Sequence, residues 1–164
     1  MVSITPHLWY IDKAVEAAKF YASVIPNSHV DSVMDLPTDS PSGPAGSVQI
    51  VDFTLAGQPF QAINAGPLDD FNHSISFVLE CDTQAEIDRF WEVLGDGGEY
   101  EGCGWLRDRY GLSWQIVPKK LSEMMKGTDV ARSKRVADVM LSMEKLEIAP
   151  LESAYRGEMA DSRK

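Results

Sequence analysis

The sequence predicts an α+β protein: two βαβββ modules forming a curved open sheet or groove, followed by C-terminal helices. Three observations predict this class. The order strand, helix, three strands occurs twice within the first 118 residues. The two helical segments echo each other, the aromatic pair Phe20–Tyr21 in the first matching Phe90–Trp91 in the second, and self-similarity of this kind marks a duplicated unit. After Pro118 the pattern changes to strong helix formers with apolar residues at helical spacing. A three- to four-stranded sheet with one helix cannot bury both faces alone, so two such units are expected to line a common groove.

Residues 4–11 are aromatic and β-favouring and predict the first strand. Asp12 is placed to cap the helix AVEAAKFYASV, whose Ala14, Ala17, Ala18 and Tyr21 share one face. Pro26 and Asn27 end that helix, and residues 29–36 predict the second strand. Residues 37–47 hold three prolines and two glycines and read as a surface loop, mobile unless a ligand or partner orders it. Residues 48–55 alternate apolar and polar as a third strand; Ala56, Gly57 and Gln58 make a hairpin turn into a fourth strand at 59–64.

The second module repeats the plan. Residues 74–79 predict a strand, and Asp82 or Thr83 caps a helix carrying Ile87, Phe90, Trp91 and Leu94 on one face. Short strands are expected at 99–103, 105–109 and 113–117. Beyond Pro118, Val136, Val139, Met140 and Met143 fall on one stripe of a helix over 128–146. A short helix follows at 150–155, and then a polar, fraying tail at 157–164. The expected divisions are a first module at 1–66, a second at 67–118 and a helical extension at 119–164.

Composition narrows the partners. The chain of 164 residues is 44% hydrophobic with a formal charge of −10. An acidic surface does not displace counterions from nucleic acid or an anionic membrane, so neither is expected as a partner. No apolar run approaches the ~18 residues that span a bilayer, and the start MVSITPHLWYID lacks the features of a signal peptide. Two cysteines, Cys81 and Cys103, are too few for a disulfide framework. A cytoplasmic protein with reduced thiols is expected. No nucleophile elbow, phosphate loop, CxxC or HExxH is present.

Four stretches carry a family likeness: ITPHLWYIDKAVEAAKFYASVIPNS, VDFTLAGQPFQAINAGP, CGWLRDRYGLSWQIVPKKL and KRVADVMLSMEKLEIAPLESAY. With the repeated βαβββ order, they resemble the vicinal oxygen chelate superfamily of glyoxalase, extradiol dioxygenases, fosfomycin resistance enzymes and bleomycin-binding proteins. Within it the chain looks like the PhnB-like branch, often labelled demethylubiquinone methyltransferase-like. No glycine-rich loop follows a strand and opens a helix, so methyl transfer of the Rossmann type is not expected.

The resemblance implies a divalent metal held by the first and last strands of each module, which would polarise a substrate oxygen. Its slots fall at His7, at Gln61 (or Ala62 if the register slips), at Ser74 or the neighbouring His73, and at Gln115. His7, His73 and Gln115 are therefore the metal-donor candidates, but neutral amides are weak ligands and no carboxylate joins them, so the cofactor is left open. The alternative is a metal-free pocket lined by His7, Trp9, Gln61, Trp105 and Gln115, since polar-tipped aromatics suit a small-molecule site. The expected function is binding or conversion of a small molecule in the groove between the modules, with a metal-dependent lyase, isomerase or dioxygenase-type enzyme as the catalytic form. The alternatives are a non-catalytic sequestering protein and a structural dimer. The resemblance also implies a homodimer.

Overall fold

The structure, a computed structural model, describes residues 2–126 and 128–158. The chain divides into two compact units, one ending at Asp70 and the next beginning at Phe71. The first contains β1 (His7–Tyr10), α1 (Ala14–Val24), β2 (His29–Asp35), β3 (Gln49–Leu55) and β4 (Gln58–Asn64). Its strand order is β1-β4-β3-β2, with β1 parallel to β4 and the other pairs antiparallel.

Two periodicities build this unit. Leu8, Tyr10, Val51, Phe53, Leu55, Phe60 and Ala62 alternate onto one sheet face and are buried. Ala14, Ala17, Ala18 and Tyr21 recur at helical spacing on α1 and are also buried. Three alanines on that stripe let the helix lie close on the sheet. The Phe53 and Phe60 rings stack at 5.4 Å, and each large side chain buried here contributes about 1.5–3 kcal/mol. The turn between β3 and β4 is made by Ala56 and Gly57, both at positive φ, as a two-residue hairpin requires.

Strand ends shift by one residue at β2, β3 and β4, where Gln58 joins the strand and not the turn, and two departures are larger. β1 begins at His7, not at residue 4, because β4 offers it register partners only from Gln61 to Asn64; Ile4 is left exposed. Asp12 does not cap α1. The N-cap is Lys13, which makes no side-chain bond; Asn64 on β4 accepts from the Ala14 amide at 2.5 Å instead. A residue 50 positions away thus supplies the acceptor that the helix start lacks locally.

The second unit contains β5 (Phe77–Cys81), α2 (Gln84–Gly95), β6 (Glu99–Tyr100), β7 (Trp105–Arg107) and β8 (Ser113–Pro118). The strand order β5-β8-β7-β6 repeats the first topology, with β5 parallel to β8. Thr83 caps α2 in a reciprocal capping box with Glu86, a feature worth about 1 kcal/mol. Ile87, Phe90, Trp91 and Leu94 are its buried face, as their spacing predicts. β5 starts three residues later than expected. Its pairing with β8 begins at Phe77, opposite Trp114, and Asn72 draws the Ser74 amide into a turn at 2.8 Å.

Three helices close this unit: α3 (Leu121–Met125), α4 (Val130–Leu141) and α5 (Ile148–Arg156). α3 has no counterpart in the sequence expectation, and α4 stops five residues short of the predicted end. Met124, Val136, Leu146, Leu151 and Ala154 form a buried cluster, with Val117, Val139, Met140 and Met143 packed against it. Gly157, at positive φ, terminates α5. The tail beyond residue 158 lies outside the described residues. Among the described residues no helix is long and apolar enough to cross a membrane.

Cys81 is buried while Cys103 is partly exposed. Burial, together with the Glu86 and Asp82 carboxylates, pushes the Cys81 thiol from 9.0 up to about 11. A rise of that size lowers the thiolate population near neutral pH about a hundredfold. Native protein treated with iodoacetamide at about pH 8 is expected to be alkylated at Cys103 and spared at Cys81, as read by peptide mass. Equal labelling would contradict the placement of Cys81.

Candidate functional site

The face of the first sheet turned away from α1 is organised in rows across the strands. One row is polar. His7 pairs in register with Gln61, Gln61 with Asp52, and Asp52 with Ser32. Gln61 donates from Nε2 to Asp52 Oδ1 at 2.8 Å, and Ser32 Oγ donates to Asp52 Oδ2 at 2.8 Å. These two bonds, Gln61 first, hold the Asp52 carboxyl below the usual range. The adjacent row is apolar: Trp9 pairs with Ile63, Ile63 with Ile50 and Ile50 with Met34. Trp9 ties its indole Nε1 to Gly66 O at 3.0 Å.

His7 and Gln61 reach this face because their neighbours Leu8, Phe60 and Ala62 take the helix-packed side. Among the described residues the His7 ring has no hydrogen-bond or ion-pair partner, and Gln61 Oε1 accepts from no protein donor.

The second module places Gln115 in the same way. Trp114 and Ile116 are buried, which turns Gln115 to the opposite face, in register with Trp105 and Val78. Gln115 Nε2 donates to Ser76 Oγ at 2.9 Å. His73 precedes β5 and lies edge-on to Trp105, ring centroids 5.7 Å apart. Its Nδ1 is 2.8 Å from Ser113 Oγ and its Nε2 is 3.1 Å from Glu101 Oε1. Both ring nitrogens are thereby occupied. Ser74 is exposed.

The structure thus brings His7, Trp9 and Gln61 onto one face of the first sheet. Trp105 and Gln115 share one face of the second. Sequence reasoning missed Asp52, Glu101 and Ser113. Asp52 shows in VDFTL only as a polar residue in an alternating strand; its contact with Gln61 depends on a register that composition does not encode.

The dense motif CGWLRDRYGLSWQIVPKKL divides into two jobs. Trp105 and Gln115 belong to the open face. Trp114 belongs to the core, where its Nε1 donates to the buried Asp108 at 2.8 Å. Arg107 and Arg109 pair with Glu99 and Asp96 respectively.

A metal fits this donor set poorly. Among the described residues no group of three or more His, Cys, Asp or Glu side chains is placed to hold one. His73 is engaged at both nitrogens and Asp52 at both oxygens.

The comparisons agree with this architecture. Residues 2–117 match the family model described as 3-demethylubiquinone-9 3-methyltransferase. The chain is similar to the PhnB protein of Bacillus cereus, which carries the same description: 32% identity over 71% of this chain and 99% of that one, with a TM-score of 0.62. The fosfomycin resistance protein FosX from Listeria monocytogenes shares the fold at 16% identity, over 77% of this chain and 100% of that one, with a TM-score of 0.52. A FosX variant from that organism is complexed with Mn(II) and 1S,2S-dihydroxypropylphosphonic acid. No curated protein matches the sequence. By its repeated modules, by the family match over residues 2–117 and by its likeness to PhnB, the chain belongs to the 3-demethylubiquinone-9 3-methyltransferase family.

Proposed function

We propose that the protein binds small organic molecules on the open face of each module's sheet, with His7, Trp9 and Gln61 as the contacts on the first and Trp105 and Gln115 on the second. One observation carries this reading: His7 and Gln61 stand in register on an open face, each with hydrogen-bonding capacity that no described residue uses, beside an apolar row headed by Trp9. Polar groups converging beside aromatic and aliphatic surface are what a small-molecule site requires. The FosX complex supports the reading at the level of the fold.

Binding through these hydrogen-bonding groups needs no resident metal. Fragments found to bind by ligand-observed NMR are expected to lose about five- to tenfold in affinity with His7→Ala or Gln61→Ala, about one hydrogen bond each. The far-UV spectrum should not change. Unaltered affinity in both variants would sink the assignment of these two residues.

A homodimer is part of the same proposal. Met34 and Val33 on β2, and Val78 on β5, are large apolar residues left exposed, and apolar surface of this kind marks interfaces. Light scattering at micromolar concentration is expected to give twice the chain mass; a monomer mass would contradict it.

A further inference from the structure

The polar row of the first module has a direction. An ionised carboxylate only accepts hydrogen bonds, so the bond between Gln61 and Asp52 can be made only by the Gln61 NH2 group. Ser32 Oγ takes the other carboxylate oxygen, so both Asp52 oxygens are engaged and the carboxylate is held from two sides. The Gln61 amide is therefore held with its nitrogen toward Asp52 on β3, and its Oε1, on a residue in register with His7, is left without a donor among the described residues. The assignment of amide N and O, ordinarily ambiguous, is dictated by the charge of its partner.

We infer that Asp52 is a positioning residue that makes the first module's face a receptor for a hydrogen-bond donor, a hydroxyl or N–H group carried on an apolar body, by presenting the Gln61 carbonyl oxygen beside His7. This rests on the reading of that face as a ligand-binding surface. The selectivity has two physical parts. Gln61 Oε1 offers a lone pair, which rewards a donor and offers nothing to an ether or carboxylate. Asp52 adds negative charge one strand away, which opposes an anion at the same place. The neighbouring Trp9–Ile63–Ile50–Met34 row supplies contact for the apolar part of such a molecule.

The test has two arms, both on the full chain. The first needs no added molecule. In isotope-labelled protein the Gln61 side-chain amide, identified by its loss in Gln61→Glu, should show a through-hydrogen-bond coupling from Nε2 to the Asp52 carboxyl carbon. Its absence overturns the inference and leaves the proposed function standing. The second arm titrates 4-ethylphenol against 4-ethylanisole, which differ in the donor. Wild-type protein is expected to bind the phenol about fivefold more tightly at Gln61, one hydrogen bond's worth. In Asp52→Asn the asparagine NH2 can donate to Gln61 Oε1 and turn the Gln61 NH2 outward, so the ratio should fall to one or invert. In Asp52→Ala, where the amide is merely released, it should fall toward one. Equal affinity of the two probes for wild type overturns the inference. Shifts that map away from Gln61 for both probes overturn it together with the proposed site.

Discussion

Asp108→Ala is expected to destabilise the second module by about 3–5 kcal/mol, a loss of the size seen when a buried polar network is broken. Asp108 is buried although it lies between two arginines. One carboxylate oxygen accepts from the backbone amides of Tyr110 at 2.8 Å and Leu112 at 3.1 Å. The other accepts from Trp114 Nε1 at 2.8 Å. The side chain therefore shapes the turn between β7 and β8 and satisfies the indole of a core tryptophan. Removing it strands three donors, two of them buried. Asp108→Asn keeps the shape and at least one acceptor and should cost less than half as much. Urea unfolding followed by tryptophan emission measures both; a loss below about 1 kcal/mol for the alanine variant would contradict this role.

Gly104→Ala is expected to cost about 2–4 kcal/mol, from strain at positive φ combined with overpacking. Gly104 sits at φ +82°, and a Cβ there would lie 2.7 Å from Ile116 O and 3.0 Å from the Leu146 side chain. The same residue accepts from the Ile116 amide and donates to Glu144 O, both at 2.7 Å. It joins β8 to the segment between α4 and α5, so the added methyl group pushes on the Ile116 carbonyl, which cannot rotate away, as well as on the Leu146 side chain. A thermal midpoint unchanged from wild type would show that this junction yields more easily than its geometry implies.

The fold is legible in the sequence where burial follows a short period. The stripe Ala14, Ala17, Ala18, Tyr21 and the face Ile87, Phe90, Trp91, Leu94 each announce a helix and its buried side. The alternation around Gln61 and Gln115 announces which side chains leave the core. Element ends are less legible because partners elsewhere in the chain set them. β5 begins where β8 can meet it, and α1 borrows Asn64 in place of Asp12. The site is half legible for the same reason. His7 and Gln61 stand out as polar residues in apolar strands, whereas Asp52 and Glu101 matter through contacts across strands and turns. α3 escapes because a helix of five residues carries too little periodicity to recognise.

Small-molecule binding on the open sheet faces is tested most directly by an amide and indole chemical-shift map of isotope-labelled protein titrated with neutral aromatic alcohols and amines. Shifts should concentrate at His7, Trp9, Gln61, Trp105 and Gln115, with the indole Nε1 signals of Trp9 and Trp105 moving and that of the buried Trp114 still. Shifts confined to the α3–α5 surface, or none at any of the five residues, would contradict binding on these faces.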